Sequence, residues 1–402
     1  MAVLKRIFHG SAFVFYLLIG LEIVIMISPF AAYFYAAYGP FLNFLHGSTI
    51  TSWLTGFFLP HAVVSQSSFI NFITGFGRTL FTLGILAFFI PAFQIYSKKI
   101  FRKGVVSGGV YRFIRHPQYL FLAIAGFGLL LFWPRFFILV IYISMLYVYY
   151  LLARYEEYRM IQKYGDSYRD YMERTAMFIP GEPGAKIYSR LFGWIGHGNV
   201  RLAAAYVFTL LISTGVGFGL REISKRNISI LWSPENNLTA ISIYPQSPQS
   251  MKETVDVIMQ DDRVDSLILK YRRDGHRGFM THIMPSNYIM RGLFADFSRE
   301  RAVHSGKRYS SLSSVLRFVF PFFFRSAHGH MMGQEGMNYQ QAIFSQLTYP
   351  NGEFAPYESA LNLNVMHLPI MRVDIDKSKR EVLKVEETEP KNFWGQMPMP
   401  VF

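Results

Sequence analysis

The residues of this chain best suited to chemistry form two blocks. The first is Gly109-Val110-Tyr111-Arg112-Phe113-Ile114-Arg115-His116-Pro117-Gln118-Tyr119; the second is the acidic pair Glu156-Glu157, which begins 40 positions after His116. An arginine offers a planar fork of donors to a carboxylate, a glutamate takes an ammonium, and tyrosine faces attract a cation. Brought to one place, these residue types would hold a zwitterionic ligand with an amino group, a carboxylate and a cationic centre. Neither block says this alone. Arg-His-Pro is ordinary at the start of a membrane helix, where the missing proline N–H costs nothing in the first turn, and Glu-Glu is ordinarily a solvated helix face. Which glutamate faces a ligand stays open, because neighbours on a helix point about 100° apart.

The chain between the blocks is what would bring them together. Two apolar segments, about residues 119–133 and 136–153, flank the break Trp133-Pro134-Arg135. A helical hairpin through a membrane carries the chain across and back, returning the acidic pair to the edge left at His116. Its first helix is expected to begin near Pro117. Composition agrees: 51% of the 402 residues are hydrophobic, 17% aromatic and only 16% charged, the balance of a membrane protein with a soluble part. The net charge of +14 is uneven. Residues 1–220 hold 18 Lys and Arg against 7 Asp and Glu, whereas residues 221–402 hold 22 against 19. Basic loops of this kind lie against anionic lipid on the cytoplasmic side. The cations flank apolar runs rather than lining one polar stripe, so membrane lipids are the expected partner and nucleic acid is not. The absence of cysteine excludes disulfides, thiolate metal sites and cysteine nucleophiles.

Five crossings are expected. The apolar run at about residues 11–38 is too long for a signal-peptide core and is read as a retained span; it contains Pro29 and Glu22, a carboxylate that is either functional or turned into the bundle interior. Residues 39–68 lack Lys, Arg, Asp and Glu and read as an interfacial or re-entrant stretch, with an extra span over 51–64 left open. Nineteen uncharged residues between Arg78 and Lys98, the hairpin, and 19 more between Arg201 and Arg221 supply the other crossings. Lys98, Lys99, Arg102, Lys103, Arg112 and Arg115 form the strongest positive cluster, placed in the cytoplasm. Residues 154–200 are expected along the same surface, with Tyr164, Tyr168 and Tyr171 on one helical face. With a cytoplasmic N-terminus in a bacterial inner membrane, parity puts residues 221–402 outside the cytoplasm.

That C-terminal part predicts a strand at Leu238–Tyr244, a helix at Pro248–Met259 and a strand at Ser266–Tyr271, a small α+β unit. Phe318–Phe324, between Arg317 and Arg325, reads as a surface for a bilayer or a partner protein, and the tail with Trp394 as poorly ordered or partner-bound. His304, His328 and His330 have no carboxylate or thiolate nearby, so no metal is expected. The expected fold is an all-α polytopic membrane bundle of about five transmembrane helices followed by a small α+β C-terminal region. The expected limits are 1–220, 221–385 and a tail from 386 to 402.

The two blocks resemble the isoprenylcysteine carboxyl methyltransferase and phospholipid methyltransferase superfamily of integral membrane enzymes. The resemblance rests on Gly109, Tyr111, Arg115, His116, Pro117 and Tyr119, then Arg154, Glu156, Glu157, Tyr164, Gly165, Tyr168, Tyr171, Ile179 and Pro180. It covers about residues 75–180. It implies S-adenosylmethionine bound at the cytoplasmic edge and methyl transfer to a lipid-like or small hydrophobic acceptor from the bilayer. Tyr111, Arg115, His116, Pro117, Tyr119, Glu156 and Glu157 are the implied cofactor-binding set, with Arg115, His116, Glu156 and Glu157 as the catalytic set. Phe121 departs from the family's usual glycine and is expected to narrow the entry between helices or reshape the acceptor pocket. Two rival readings remain: a sterol-type reductase using NADPH, which shares a similar Arg-His-Pro-x-Tyr block, and a non-catalytic scaffold whose residues 221–402 dock partner proteins.

Overall fold

A computed structural model describes residues 44–61, 63–100, 107–272, 277–286 and 338–388, with residues 20, 21, 24, 25 and 27–30. Glu22, most of the first expected span, the Phe318–Phe324 stretch, His304, His328, His330 and Trp394 lie outside the described residues. The helices are α1 (Ser68–Ile100), α2 (Pro117–Phe132), α3 (Phe136–Tyr164), α4 (Asp166–Arg174), α5 (Pro183–Phe192), α6 (Gly198–Lys225), α7 (Pro248–Met259) and α8 (Asp262–Arg272). Among the described residues three helices, α1, α3 and α6, are long and apolar enough to cross a membrane. The fourth apolar helix, α2, has 16 residues, about 24 Å at 1.5 Å per residue.

The chain divides into two compact units. One takes the described residues of Met1–Ala36 with Leu80–Leu130 and Ile138–Thr214; the other takes those of Ala37–Thr79, Leu131–Phe137 and Gly215–Phe402. In the first unit, Pro117 opens α2 where no helical N–H bond is needed. Small residues then let the helices close. A Cβ on Gly84 of α1 would stand 2.6 Å from the Ala125 backbone N on α2, and one on Gly126 would stand 2.9 Å from the Met145 side chain on α3. Tyr142 of α3 donates to the Ala123 carbonyl at 3.2 Å, fastening the hairpin. The third helix runs on without a break to Tyr164, where Gly165 takes φ 55° and ψ −132°, a conformation essentially closed to other residues. The expectation that Tyr164, Tyr168 and Tyr171 share one helical face is therefore corrected: the first ends α3 and the other two belong to α4.

The second unit is built on one six-stranded sheet in the order β1-β2-β3-β4-β5-β6. Its strands are Ser229–Ser233, Leu238–Ser242, Phe279–Pro285, Tyr339–Thr348, Met366–Asp376 and Glu381–Glu387. Only β2 and β3 pair in parallel, and the α7–α8 connection provides the crossover such a pair requires. Both faces are covered. Met251, Val255, Ile258, Val264 and Ile268 pack on Leu238, Phe279 and Ile283, while Val63, Ile228 and Leu361 pack with Ile241, Met280 and Ile343 on the other face. Such strands read as continuous apolar runs. The strand expected at Ser266–Tyr271 is instead part of α8. Val264 and Ile268 are buried four residues apart, and Asp262, Asp265, Lys270 and Arg272 sit at the ends that favour them. Strand β6 also continues through Glu386 and Glu387, two residues of the segment expected as a tail.

The described residues of 51–64 form no spanning helix. A short 3-10 turn at Ser52–Thr55 leads into extended chain. Phe58 N–H donates to the Pro134 carbonyl at 2.8 Å, Val64 N–H to Ile243 at 2.8 Å and Gln66 N–H to Asn227 at 2.6 Å. Arg135, at the hairpin tip, donates to the Thr55 carbonyl at 2.6 Å and lies 4.1 Å from the Phe57 ring centre.

Candidate functional site

The start of α2 and the far part of α3 meet in the first unit around a buried ion cluster. Extended chain before α2 pairs with the segment after α4: Arg115 N–H donates to the Ala176 carbonyl at 2.9 Å and His116 N–H to Met177 at 3.1 Å. This fixes two successive side chains at the mouth of the hairpin. Arg115 donates through Nε to Glu157 Oε1 at 2.6 Å, through Nη1 to the Met172 carbonyl at 2.8 Å, and also to the Thr175 carbonyl. Its Nη2 lies 3.7 Å from Glu182 Oε1. The forked donor expected to face a ligand thus binds protein groups, and its observed work is to hold Glu157 and the α4 terminus.

His116 stands between the two glutamates. Its Nδ1 is 3.4 Å from Glu156 Oε2 and its Nε2 is 3.4 Å from Glu157 Oε1, yet neither nitrogen has a hydrogen-bond partner among the described residues. Burial disfavours the imidazolium, but the facing carboxylates of Glu156 and Glu157 outweigh it and raise the His116 pKa above its ordinary value. Tyr119 donates its hydroxyl to Glu156, and its ring stacks on Tyr149 at 4.9 Å and 21°.

The glutamates divide their roles by exposure. Glu156 keeps 41% of its side chain accessible, whereas Glu157 keeps 6%. Glu156 lines a cavity of about 380 Å³ together with Tyr111, Arg115 and His116, a size within the roughly 300–1,000 Å³ of small-molecule sites. The other expected binding residues, Pro117, Tyr119 and Glu157, are not on the cavity wall. Tyr119 and Glu157 hold the groups that are. Tyr111 is buried in support: its single hydroxyl proton is shared between Gln118 Oε1 at 3.0 Å and the Pro91 carbonyl at 3.2 Å, and its carbonyl accepts from Tyr171 at 2.6 Å. Gly109, at φ 63°, leaves room for the Gln94 amide where a Cβ would meet it at 2.4 Å. Phe121 is half-buried and does not line the cavity.

Several wall residues were missed from sequence. On α3 they are Leu152, Tyr155, Arg159, Met160 and Lys163, spaced three and four apart around Glu156 on one helical face. On α1 they are Ile95, Tyr96 and Lys99, and Tyr164, Tyr168 and Tyr171 complete the aromatic lining. The α3 stripe was visible as a helical repeat. The α1 residues were not, because nothing in the sequence ties the end of α1 to the acidic pair.

A wall with one accessible carboxylate, four cations (Lys99, Arg115, Arg159 and Lys163) and tyrosine faces suits a ligand bearing both charges and an aromatic or cationic part. The family model described as phospholipid methyltransferase matches residues 72–167, which contain both blocks and the hairpin between them. No curated protein and no solved structure matches the chain.

Proposed function

We propose, from the match of residues 72–167 to the phospholipid methyltransferase family model, that this chain is an S-adenosylmethionine-dependent membrane methyltransferase acting on a lipid acceptor. The observation that carries the reading is the meeting of two motif blocks, 40 residues apart in sequence, at one charged and aromatic cavity. The cofactor fits the wall. Glu156 suits its ammonium, the Lys99, Arg159 and Lys163 rim suits its carboxylate, and the tyrosine rings suit its sulfonium and adenine. His116, buried between the two glutamates at 3.4 Å from each, holds a positive charge at the cavity wall beside Glu156.

When bound, S-adenosylmethionine supplies a methyl group on a sulfonium, and its in-line transfer calls for alignment and exclusion of water more than a strong acid or base. This chain's residues are arranged for alignment. Tyr119 fixes the Glu156 carboxylate, Arg115 fixes Glu157, and both glutamates confine His116. The basic rim would also seat an anionic headgroup of the acceptor. The cluster of Lys98, Lys99, Arg112 and Arg115 favours a cytoplasmic placement of this edge.

The same cations would suit the phosphates of NADPH, which keeps a reductase as the second reading. Calorimetric titration of the purified protein with each cofactor separates the two. Binding of S-adenosylmethionine, weakened in Glu156→Gln, is the expected result; binding of NADPH alone would replace the proposal. A labelled-methyl assay on membrane extracts then identifies the acceptor.

A further inference from the structure

Helix α5 has no buried residue, although it is rich in apolar side chains. At 100° per residue, Ile187, Tyr188, Leu191 and Phe192 fall on one side of it, while Lys186 and Arg190 fall together on a flank. One edge of the apolar side is occupied. Phe192 packs edge-on against Phe208 of α6 with centroids 5.6 Å apart, and Tyr188 lies 5.8 Å from Phe192. The other edge is open: Ile187 is 60% exposed, Leu191 46% and Trp194 82%. Trp194 is held there, because its indole N–H donates to the Leu191 carbonyl at 2.9 Å. The turn behind it is closed by Arg201, which donates twice to the Ile195 carbonyl, at 2.9 and 2.6 Å.

The place of this strip in the chain identifies what covers it. The candidate span α6 begins at Gly198, four residues past Trp194. Phe208 lies seven residues beyond Arg201, about 10 Å along the helix into its uncharged run. An aromatic side chain leans back toward the helix N-terminus, so Phe192 meets Phe208 within about 10 Å of Arg201, where the uncharged run of α6 begins. This is the depth, roughly 5–10 Å, at which amphipathic interfacial helices lie. The exposed apolar edge therefore lies beside the N-terminal end of the α6 apolar run, and the Lys186–Arg190 flank adjoins that edge. Helix α5 itself carries no acidic residue, and Glu182, just before it, lies 3.7 Å from Arg115 Nη2 and accepts from Met177 N–H at 2.8 Å.

We infer that α5 with Trp194 is an interfacial anchor whose partner is an anionic phospholipid surface, and that Glu182 ties this anchor to Arg115 of the cavity wall. The inference rests on the membrane placement of α6 and not on the identity of the cofactor. Lys and Arg near an anionic leaflet are each attracted by roughly fivefold in binding constant, and salt screens the effect.

The test uses the full chain in nanodiscs of phosphatidylcholine with or without phosphatidylglycerol, some carrying brominated acyl chains. The Trp194 signal is the difference between wild type and Trp194→Phe. The expected result is a blue-shifted Trp194 emission quenched by brominated chains, more strongly in the anionic discs, with the difference between compositions lost in Lys186→Ala/Arg190→Ala and at high salt. Emission at the solvent-exposed wavelength without quenching in either disc would overturn the anchor. Equal quenching in both discs, unaltered by the double variant, would overturn the anionic-lipid assignment. Cofactor titration in detergent is a separate measurement, so failure of the methyltransferase reading leaves a distinct signature.

Discussion

Neutralising Glu157 and neutralising Glu156 should produce opposite phenotypes, although the residues are adjacent. Glu157 is 6% exposed and takes the 2.6 Å hydrogen bond of Arg115, which is itself 7% exposed; it also faces His116, 4% exposed. Glu157→Gln keeps the shape and one acceptor oxygen but leaves a buried guanidinium with only the half-exposed Glu182, 3.7 Å away, as counter-charge. Breaking a buried pair by removing one partner costs about 3–5 kcal/mol. The retained acceptor places this variant near the lower end, about 3 kcal/mol, and at roughly 2–4 °C per kcal/mol for a domain of 150–250 residues the melting temperature should fall by about 6–12 °C. Glu156, 41% exposed, loses little stability on becoming Gln, under about 1 kcal/mol. Under the proposed cofactor assignment, a hydrogen bond from the ligand's ammonium to Glu156 would be worth about 1.5–3 kcal/mol, so Glu156→Gln should weaken S-adenosylmethionine binding by roughly 10- to 150-fold. Thermal melts in detergent and calorimetric titration of both variants read the two quantities. A Glu157→Gln protein with unchanged melting and lost binding, beside a Glu156→Gln protein that melts early and binds normally, would refute the division of roles.

Three further outcomes follow from the packing and the buried bases. Gly84→Ala places a Cβ 2.6 Å from the Ala125 backbone N, which no side-chain rotation relieves; separation of α1 from α2 should cost about 1–3 kcal/mol, seen as a lower melting temperature, and an unchanged melt would show that the two helices are not in close contact. Tyr119→Phe removes the hydrogen bond that orients Glu156 while keeping the stack on Tyr149, so binding should weaken by about 1 kcal/mol with melting nearly unchanged; full-strength binding would remove Tyr119 from the support of the site. In the sheet unit, burial and the neighbouring His367 hold His282 down to about 3, and burial with Arg221 holds His367 down to about 4, His46 also facing the latter. A depressed base takes its proton only in the unfolded state, so stability is constant above the unfolded value near 6.5 and falls as pH drops toward 4, by a few kcal/mol. Circular dichroism melts across that window should show the slope, and a slope unaltered in His282→Leu would exclude that histidine as its source.

The geometry of the candidate site was largely legible because its residues are local in sequence. Arg115, His116 and Tyr119 sit within five residues of one another, and the hairpin that returns Glu156 to them follows from two apolar runs and the Trp133-Pro134-Arg135 break. Propensity and pattern could place these residues but could not assign their depth. That Glu157 turns inward and Glu156 outward is decided by Arg115, whose direction depends on carbonyls at Met172 and Thr175, more than fifty residues away. The same limit applies to Arg115 itself: it lines the cavity, and its type could not show that Glu157 and the Met172 and Thr175 carbonyls also engage it.

The C-terminal misreading has a different cause. Ser266–Tyr271 contains Leu267, Ile268 and Leu269 in a row, and a run of three apolar residues suits a buried strand as well as a helix. The deciding signal lies outside the run, in Val264 four residues before Ile268 and in the acidic start and basic end of α8. Both flanking strands are buried on two faces, so neither shows the alternation that would have set the period for its neighbours. A segment between two such strands must cross over for β2 and β3 to run parallel, and a helix is the usual means of doing so. The parallel pairing, invisible in the local sequence, is therefore what requires α7 and α8 to cover one face of the sheet. Their apolar stripes, Met251, Val255 and Ile258 on α7 and Val264 and Ile268 on α8, are that requirement written at helical spacing.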